Sequence, residues 1–377
     1  MKTFQLTRQN SQWENSSKSN SLTDPELMIC FGSKQKLREP GGYEYLLKQY
    51  PQSTIIVAST SGEISNDSIK DETIVATGIT FEHSKFIAHK VNVKEHKDSY
   101  EAGKSLAEKF AVDGLRLLFV LSDGQLVNGG DLVNGLNESL HSIPVVGGLA
   151  GDGANFQSTI VGLNDDINEG NIVAIGFYGD KLKVGAGSKG GWDKFGPTRT
   201  ITKSHKNVLY EIDGESALDL YTKYLGEYAE KLPGSALLFP LAIQHDDGTE
   251  VVRTILSIDI ENKTMTFAGN IPEGSKARLM KANLDNLATA AADAATLSNI
   301  IAPTDDSDKL AILISCVGRK LIFGNRIDEE LDAAREIVGE NTLITGFYSY
   351  GEIAPFTTFL KCELHNQTMT ITTICEN

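Results

Sequence analysis

The sequence predicts an α+β protein made of two similar units, each with a largely antiparallel sheet and helices packed on its outside. The second half of the chain repeats the order of segments found in the first half, at a separation of about 190 to 200 residues. Strand-like segments also outnumber helical ones, and short links join most of them, which favours antiparallel sheets over a doubly wound parallel sheet. A seam between two such units is a common place for a ligand pocket.

The repeated unit has five segments. In the first copy, the apolar run LRLLFVL ends at Ser122-Asp123-Gly124, and GGDLVNGLNESL, PVVGGLAGDG, STIVGLND and NIVAIGFYG follow. In the second copy, LAILI ends at Ser315-Cys316, and RIDEELDAAREIV, LITGFYSYGEIAPF, KCELHNQT and MTITTICEN follow in the same order. The second segment of each copy has helical periodicity, and the others are strand-like.

The segments ahead of the first copy are strand-like apart from one helix. The opening 25 residues are polar and without periodicity, which predicts either a mobile arm or a strand completed late. The runs STIIVAST, TIVATGITF and SKFIAHKVNV are rich in β-branched residues and predict an antiparallel meander. A helix over 98–113 places Ala102, Leu106 and Phe110 on one face and leads into the first copy.

The segments between the two copies predict two hairpins and two helices. TRTITKSHKNVLYEIDG alternates like a hairpin, and ESALDLYTKYLGEYAEKL is helical as far as Pro233. A second hairpin turns at Asn262-Lys263, and the alanine-rich LDNLATAAADAATL forms the next helix. With a boundary near residues 192–197, the expected division is an arm at 1–25 and domains at 26–196 and 197–377.

Composition excludes several classes of protein. The chain has 377 residues, 40% hydrophobic and 23% charged, as expected for a soluble globular protein of about two domains. A net charge of −15 opposes binding to DNA or RNA. The sequence shows neither a transmembrane run nor a secretory signal, and its four cysteines lack metal-type spacing. We therefore expect a cytoplasmic protein with reduced thiols.

Two familiar motifs are weak here. Residues 185–190 satisfy G-x-G-x-x-G, but Gly191 and Pro197 follow where a dinucleotide site needs a helix, so a glycine-rich turn is favoured. None of the seven histidines forms a pair with helical ligand spacing. His365 and His245 lie nearest to segments that line the interior, and a core or rim role competes with metal binding for both.

A Cys-dependent hydrolase is an alternative hypothesis. Cys316 stands where a strand gives way to a turn, and His365 or Glu352 would serve as its base. The sequence lacks a G-x-S-x-G elbow, and a buried Cys commonly acts as a small hydrophobic residue. A non-catalytic protein is therefore favoured.

The glycine-bearing ends of the two copies are the favoured binding site. Both 147–153 and 346–352 close a strand with an acid after a glycine, which permits close approach of a ligand to the backbone. Asp152 and Glu352 would accept hydrogen bonds from an amine, unless each is only an exposed acid on a tight turn. Arg319 would pair with a carboxylate, or else with Glu352 or Asp328 in a salt bridge. The predicted ligand-binding residues are Arg319, Glu352, Tyr348, Tyr350, Cys316, Gly351, Asn366, Gly148 and Asp152.

These motifs resemble a known family. SCVGRKLIFG, GFYSYGEIAP and LHNQTMTITTI look like the FIST C-terminal domain, and LSDG, VVGGLAGDG and STIVGLND look like the FIST N-terminal domain. The resemblance implies a sensory module that binds small ligands such as amino acids and acts through a separate partner protein. It is also similar to the NosP group, which implies haem, nitric-oxide sensing and a partner histidine kinase. In that case His365 or His245 would hold the iron and Arg319 a propionate.

Overall fold

One strand–helix–strand pattern occurs three times along the chain and sets the architecture. The computed structural model describes residues 1–16, 24–140, 142–244, 248–299, 308–356 and 361–376. Each copy contributes a parallel strand pair joined by helices and a third strand antiparallel to the first of the pair. Most of the other pairings are antiparallel, so the predicted α+β class and the internal repeat are confirmed.

Unit 1 is the copy that sequence analysis missed. Its parallel pair is β3 and β4, with two short helices between them, and β7 runs antiparallel to β3. Ser33 caps the first of these helices by accepting a hydrogen bond from the backbone of Lys36. The elements are β1 (Lys2–Gln9), β2 (Gln12–Asn15), β3 (Leu27–Gly32), α1 (Lys34–Arg38), α2 (Tyr43–Gln49), β4 (Thr54–Ser59), β5 (Glu63–Ser65), β6 (Ser68–Lys70) and β7 (Ile74–Thr80).

Unit 2 is the first of the two copies found in the sequence. Its parallel pair is β9 and β10, joined by an amphipathic helix that Asn128 caps. The elements are β8 (Lys85–Asn92), α3 (Ser99–Ala107), β9 (Leu115–Ser122), α4 (Gly129–Ser139), β10 (Val145–Leu149), β11 (Val161–Leu163), β12 (Asp166–Asn168) and β13 (Asn171–Tyr178).

Unit 3 begins with β14 (Leu182–Lys189) and is then interrupted by an inserted domain, residues 193–281. The inserted domain has its own largely antiparallel sheet and its own apolar core. It comprises β15 (Asp193–His205), β16 (Val208–Ile212), β17 (Glu215–Ser216), α5 (Ala217–Leu225), two 3₁₀ turns, β18 (Leu241–Gln244), β19 (Glu250–Arg253), β20 (Ile255–Asp259), β21 (Thr264–Phe267) and β22 (Lys276–Lys281).

After the insertion, unit 3 resumes with the same pattern. Asn283 caps the alanine-rich helix, and β23 and β24 form the parallel pair. The elements are α6 (Leu284–Ser298), β23 (Lys309–Cys316), α7 (Val317–Phe323), α8 (Asp328–Val338), β24 (Thr342–Ser349), β25 (Gly351–Pro355), β26 (Cys362–His365) and β27 (Met369–Glu376). No helix of the described residues is both long and apolar enough to cross a membrane.

The three units exchange hairpins in a ring. The hairpin β5–β6 of unit 1 pairs with β24 of unit 3, and β11–β12 of unit 2 pairs with β4 of unit 1. The hairpin β25–β26 of unit 3 pairs with β10 of unit 2. Each of the three sheets therefore ends in a hairpin that belongs to a neighbouring unit.

Equivalent backbone hydrogen bonds show that the three units are related by an approximate threefold axis. One bond links each unit to the next at the ends of the second strands. Its three copies are Ser61 N to Tyr348 O (2.9 Å), Gly151 N to Ser59 O (2.9 Å) and Tyr350 N to Leu149 O (3.1 Å). A residue one or two positions before the third strand is left-handed in all three units, with φ of 55° at Glu72, 82° at Gly170 and 61° at Gln367.

The core of the ring lies between the three sheets. One apolar cluster takes side chains from all three, including Phe31, Phe119 and Phe347. Three further clusters fill the space between each sheet and its outer helices. The sheets therefore bury both faces, which explains why their strands are continuous apolar runs.

The structure corrects two expectations and confirms others. Of the two alternatives for the opening residues, the described ones form strands rather than an arm, because β1 lies within a sheet between β7 and β2. The predicted meander is wrong: β4 is parallel to β3, and β8 belongs to a different sheet from β7. The hairpins β15–β16 and β20–β21 and the helices α3, α5 and α6 are confirmed. The inserted domain begins at residue 193, close to the expected boundary.

Candidate functional site

A cleft lies between the inserted domain and the carboxyl ends of the parallel strands. It consists of two adjoining cavities of about 420 Å³ and 340 Å³, a size ordinary for small-molecule sites. The two cavities share Gln125, Phe156, Leu256, Ala268 and Tyr350. We call it the strand-end cleft.

One wall of the strand-end cleft comes from units 2 and 3. Gln125 follows β9, Cys316 ends β23 and Gly318 lies in α7 just after it, and Tyr350 follows β24. The opposite wall comes from the inserted domain, with Thr254 and Leu256 at β20 and Ala268 after β21. The cleft is thus bounded by two bodies with separate cores.

The loop between β10 and β11 forms one side of the cleft. The Asp152 carboxylate accepts hydrogen bonds from the backbone N–H groups of Phe156 (2.8 Å), Gln157 (3.0 Å) and Ser158 (3.0 Å). The Tyr350 hydroxyl donates to the same carboxylate, and its ring stacks on Phe156 at 4.7 Å between centroids. The predicted residues Asp152 and Tyr350 therefore come together, with Asp152 shaping the loop.

Cys316 and Glu352 meet beneath the cleft. Cys316 lines it, and the charge of the nearby Glu352 acts to raise the pKa of its thiol. Glu352 is fully buried and also accepts from Ser349 Oγ (2.9 Å) and from the N–H and Oγ1 of Thr368 (3.1 and 2.9 Å). Burial raises the pKa of Glu352 to about 8, although those hydrogen bonds act to lower it. Burial also raises the pKa of the Cys316 thiol.

Unit 1 contains a second copy of this buried acid. Glu63 aligns with Glu352 in the hairpin pairing, and it accepts from Thr60 Oγ1 and from the N–H and Oγ1 of Thr73 (2.9 and 2.6 Å). Burial raises the pKa of Glu63 to about 7. The shared segments TSGEI and SYGEI are the sequence signal that would have revealed both the third unit and this residue.

Arg319 is committed to structure and does not line the cleft. Its side chain is fully buried, with Nε to Glu330 Oε1 at 2.5 Å, Nη1 to Gly190 O at 2.6 Å and Nη2 to Leu287 O at 2.9 Å. Tyr348 is also fully buried and donates to Glu330 Oε2 at 2.8 Å. Glu330, rather than Glu352 or Asp328, is thus the salt-bridge partner of Arg319, and these side chains hold α6 and α8 against the sheet.

The remaining predicted residues lie away from the cleft lining. Gly148 and Gly351 sit in the β10–β25 ladder, which occupies the space where the two glycine-bearing ends meet. Asn366 is buried, and its Nδ2 donates to His365 O at 3.0 Å. His365 is buried with Nε2 3.0 Å from Ala354 O, and burial lowers its pKa to about 4.

The described residues offer no ready-made metal site. His245 lies outside the described residues. Within them, no three His, Cys, Asp or Glu side chains come close enough together to hold an ion. The sequence reasoning also missed the inserted domain's contribution to the site, Thr254, Leu256 and Ala268. In the sequence their segment shows only the pattern of a hairpin. Its contribution to the cleft is visible only in the structure, where this hairpin packs over the strand ends.

Comparisons with known proteins agree with the sequence motifs. A model of the FIST N domain matches residues 26–215, and a model of the FIST C domain matches residues 217–355. An uncharacterised protein of Methanocaldococcus jannaschii is 25% identical over 352 residues. That alignment covers 81% of this chain and 65% of the other protein, so the chain spans less than two thirds of that relative's length.

Proposed function

Because the chain belongs to the FIST family, whose domains are small-ligand sensory domains, we propose that it is a non-catalytic sensor that binds a small ligand in the strand-end cleft. Its occupied form would then be recognised by a partner signalling protein such as a histidine kinase. The observation that carries this proposal is the position of the cleft, which has the ring on one side and a separately folded domain on the other.

That position supports signalling because a ligand between two bodies favours whichever arrangement it contacts best. Binding then shifts the population of the inserted domain's orientations, and a partner that contacts this domain responds to the shift.

The four described cysteines are all free and buried, which supports a reducing compartment such as the cytoplasm.

The chemistry of the cleft supports binding over catalysis. Its described lining holds no His, Asp, Glu, Lys or Arg. Burial raises the pKa values of the two titratable side chains there, Cys316 and Tyr350, so both stay protonated and non-nucleophilic at neutral pH. The Cys-dependent hydrolase would need a thiolate, which this environment opposes.

The same lining does not fit haem. A haem needs an axial ligand and cationic partners for two propionates, and the described lining has no histidine and no basic side chain. Its other potential axial ligands, Cys316 and Tyr350, are kept protonated because burial raises the pKa of each. His365, one candidate ligand, is buried against Ala354. We therefore propose ligand sensing without haem, and expect the Soret band of added haemin to keep the position and intensity of free haemin when the purified protein is present.

Filling the cleft tests the proposal. Ala268 lines both cavities, so Ala268→Trp should occupy the ligand's space, whereas Ala111→Trp at an exposed position is the matched control. In a thermal-shift screen of small metabolites, a true ligand should stabilise the wild type and A111W but not A268W. A ligand at 100 times its Kd adds about 2.7 kcal/mol to the free energy of unfolding. Ligands that stabilise A268W equally well would place the sensing site elsewhere.

A further inference from the structure

The strand-end cleft carries no charge although the chain as a whole has a net charge of −15. Its polar side chains are Gln125, Asn128, Asn207, Thr254, Cys316 and Tyr350. The two carboxyl groups described beside it are already bonded, Asp152 to backbone N–H groups and to Tyr350, and Glu352 to Ser349 and Thr368. A charged ligand entering this cleft would lose hydration without gaining an ionic partner.

Large apolar side chains that elsewhere would be buried are exposed around the same cleft. Of the nine exposed large hydrophobic side chains in the described residues, four line it: Leu126 (47% exposed), Phe156 (43%), Leu256 (48%) and Leu321 (47%). They come from unit 2, the inserted domain and α7, so separate parts of the chain each present an apolar side chain to one space. An exposed apolar patch at a concave site favours an apolar ligand.

One buried polar atom at the cleft has no hydrogen-bond partner among the described residues. Thr254 lines the larger cavity and is only 7% exposed, and its Oγ1 makes no hydrogen bond within the described chain. Buried hydroxyls are normally satisfied, so a ligand group is the natural partner of this one.

The aromatic side of the cleft is held in place before any ligand arrives. Phe156 adopts a left-handed backbone with φ of 54°, fixed by the hydrogen bond from its N–H to Asp152, and its ring is stacked at 18° to that of Tyr350. A fixed aromatic surface lowers the entropic cost of binding a flat apolar molecule.

From these four observations we propose that the strand-end cleft selects a neutral, largely apolar, flat small molecule with one hydrogen-bonding group directed at Thr254. This inference rests on the proposed function, since it names the chemical class of the ligand that the sensor binds. It excludes free amino acids and carboxylates as the ligand.

Three probes with one ring system test the inference. Indole is neutral, indole-3-acetate is an anion and L-tryptophan is a zwitterion, and the affinity of the full chain for each is measured by isothermal titration. We expect indole to bind at least roughly tenfold more tightly than either charged probe, since an unpaired charge in the cleft costs more than about 1.4 kcal/mol. Equal or tighter binding of tryptophan or indole-3-acetate would overturn the inference, as would failure of all three to bind.

Three variants make the test independent of folding defects. Leu256→Lys introduces a cation into the cleft and should reverse the preference, weakening indole and strengthening indole-3-acetate. Ile260→Lys, on the same hairpin at 78% exposure and outside the cleft lining, should leave both affinities unchanged. Thr254→Val keeps the side-chain shape and should weaken indole roughly 2- to 12-fold through the lost hydrogen bond.

The inference and the proposed function fail in different ways. If a charged probe binds better than indole but its binding is lost in A268W, the cleft is the sensing site and only the ligand class is wrong. If indole binds A268W as tightly as the wild type, the site lies elsewhere and both ideas fall.

Discussion

At the scale of single residues, the buried acid of unit 3 makes stability depend on pH. Glu352 has a pKa of about 8 in the folded chain and an ordinary value of 4.5. Between those values the native chain holds a proton that the unfolded chain has lost. Its contribution to the free energy of unfolding therefore declines as pH rises from about 5 to 8, by at most about 1.4 kcal/mol per pH unit.

Glu352→Gln should remove this decline, because glutamine keeps the shape of the side chain and does not titrate. Urea unfolding at several pH values between 5 and 8 should show that the free energy of unfolding of the variant rises relative to that of the wild type as pH rises. Glu336→Gln, at an exposed position of α8, is the control. Parallel curves for E352Q and the wild type would show that Glu352 is ionised in the native chain.

Residue chemistry was only partly visible in the sequence. Tyr350 and Asp152 follow the equivalent strands β24 and β10 and meet in one hydrogen bond, and Cys316 lines the same cavity as Tyr350, so strand ends in the sequence did indicate which residues converge. Their role in binding stays a prediction. Arg319 and Tyr348 were misassigned to the ligand, since their partner Glu330 lies on a helix whose rotation about its axis no pattern fixes. A buried polar side chain satisfied by its neighbours and one awaiting a ligand look the same in a sequence.

At the scale of elements, two glycines permit close approach of the parallel strands. A Cβ on Gly147 would lie 1.8 Å from Val120 O, and a Cβ on Gly346 would lie 1.8 Å from Leu313 O. The two positions are equivalent in units 2 and 3, whereas unit 1 has Val57 there. The parallel pairs of units 2 and 3 therefore tolerate no side chain at this point.

Gly346→Ala should destabilise the protein by about 3 kcal/mol or more, because the β23–β24 backbones must separate to admit the methyl group. Chemical denaturation measures the loss. Gly234→Ala is the matched control, since a Cβ there has no neighbour within 4 Å and the residue does not have a left-handed backbone. Equal free energies of unfolding for the two variants would mean that the two strands can separate without a loss of stability.

The elements show what local pattern does and does not determine. The hairpin turning at Asn262-Lys263 and the alanine-rich α6 were predicted correctly, since turn residues and helical periodicity act over a few positions. The meander was wrong because β4 and β7 each pair with β3 rather than with one another. Strand order depends on segments far apart in the chain, and apolar runs buried on both faces carry no signal of direction.

At the scale of the whole molecule, the ring of exchanged hairpins means that neither half is self-sufficient. A fragment of residues 1–196 would lack β25 beside β10 and β24 beside β5. It would also lose the part of the central core that sheet 3 supplies. The inserted domain differs, since it keeps its own sheet and core.

Residues 1–196 and 197–377 produced separately should therefore each fail to unfold cooperatively, whereas their coexpression should give a stable complex. A fragment of residues 193–283 should fold alone and serves as the positive control. Amide dispersion in NMR spectra and circular dichroism melting curves distinguish these outcomes. A cooperative melt of the isolated 1–196 fragment would contradict the interdependence of the units.

The exchange of hairpins also sets a delay during biosynthesis. The strand β5 leaves the ribosome early, but the edge that receives it, β24, is translated about 280 residues later, which at ordinary elongation rates takes roughly 14 to 56 s. Throughout that interval the β5–β6 hairpin of the nascent polypeptide has a strand edge whose backbone N–H and C=O groups lack their partner strand. We expect chaperones to bind the nascent chain during this interval.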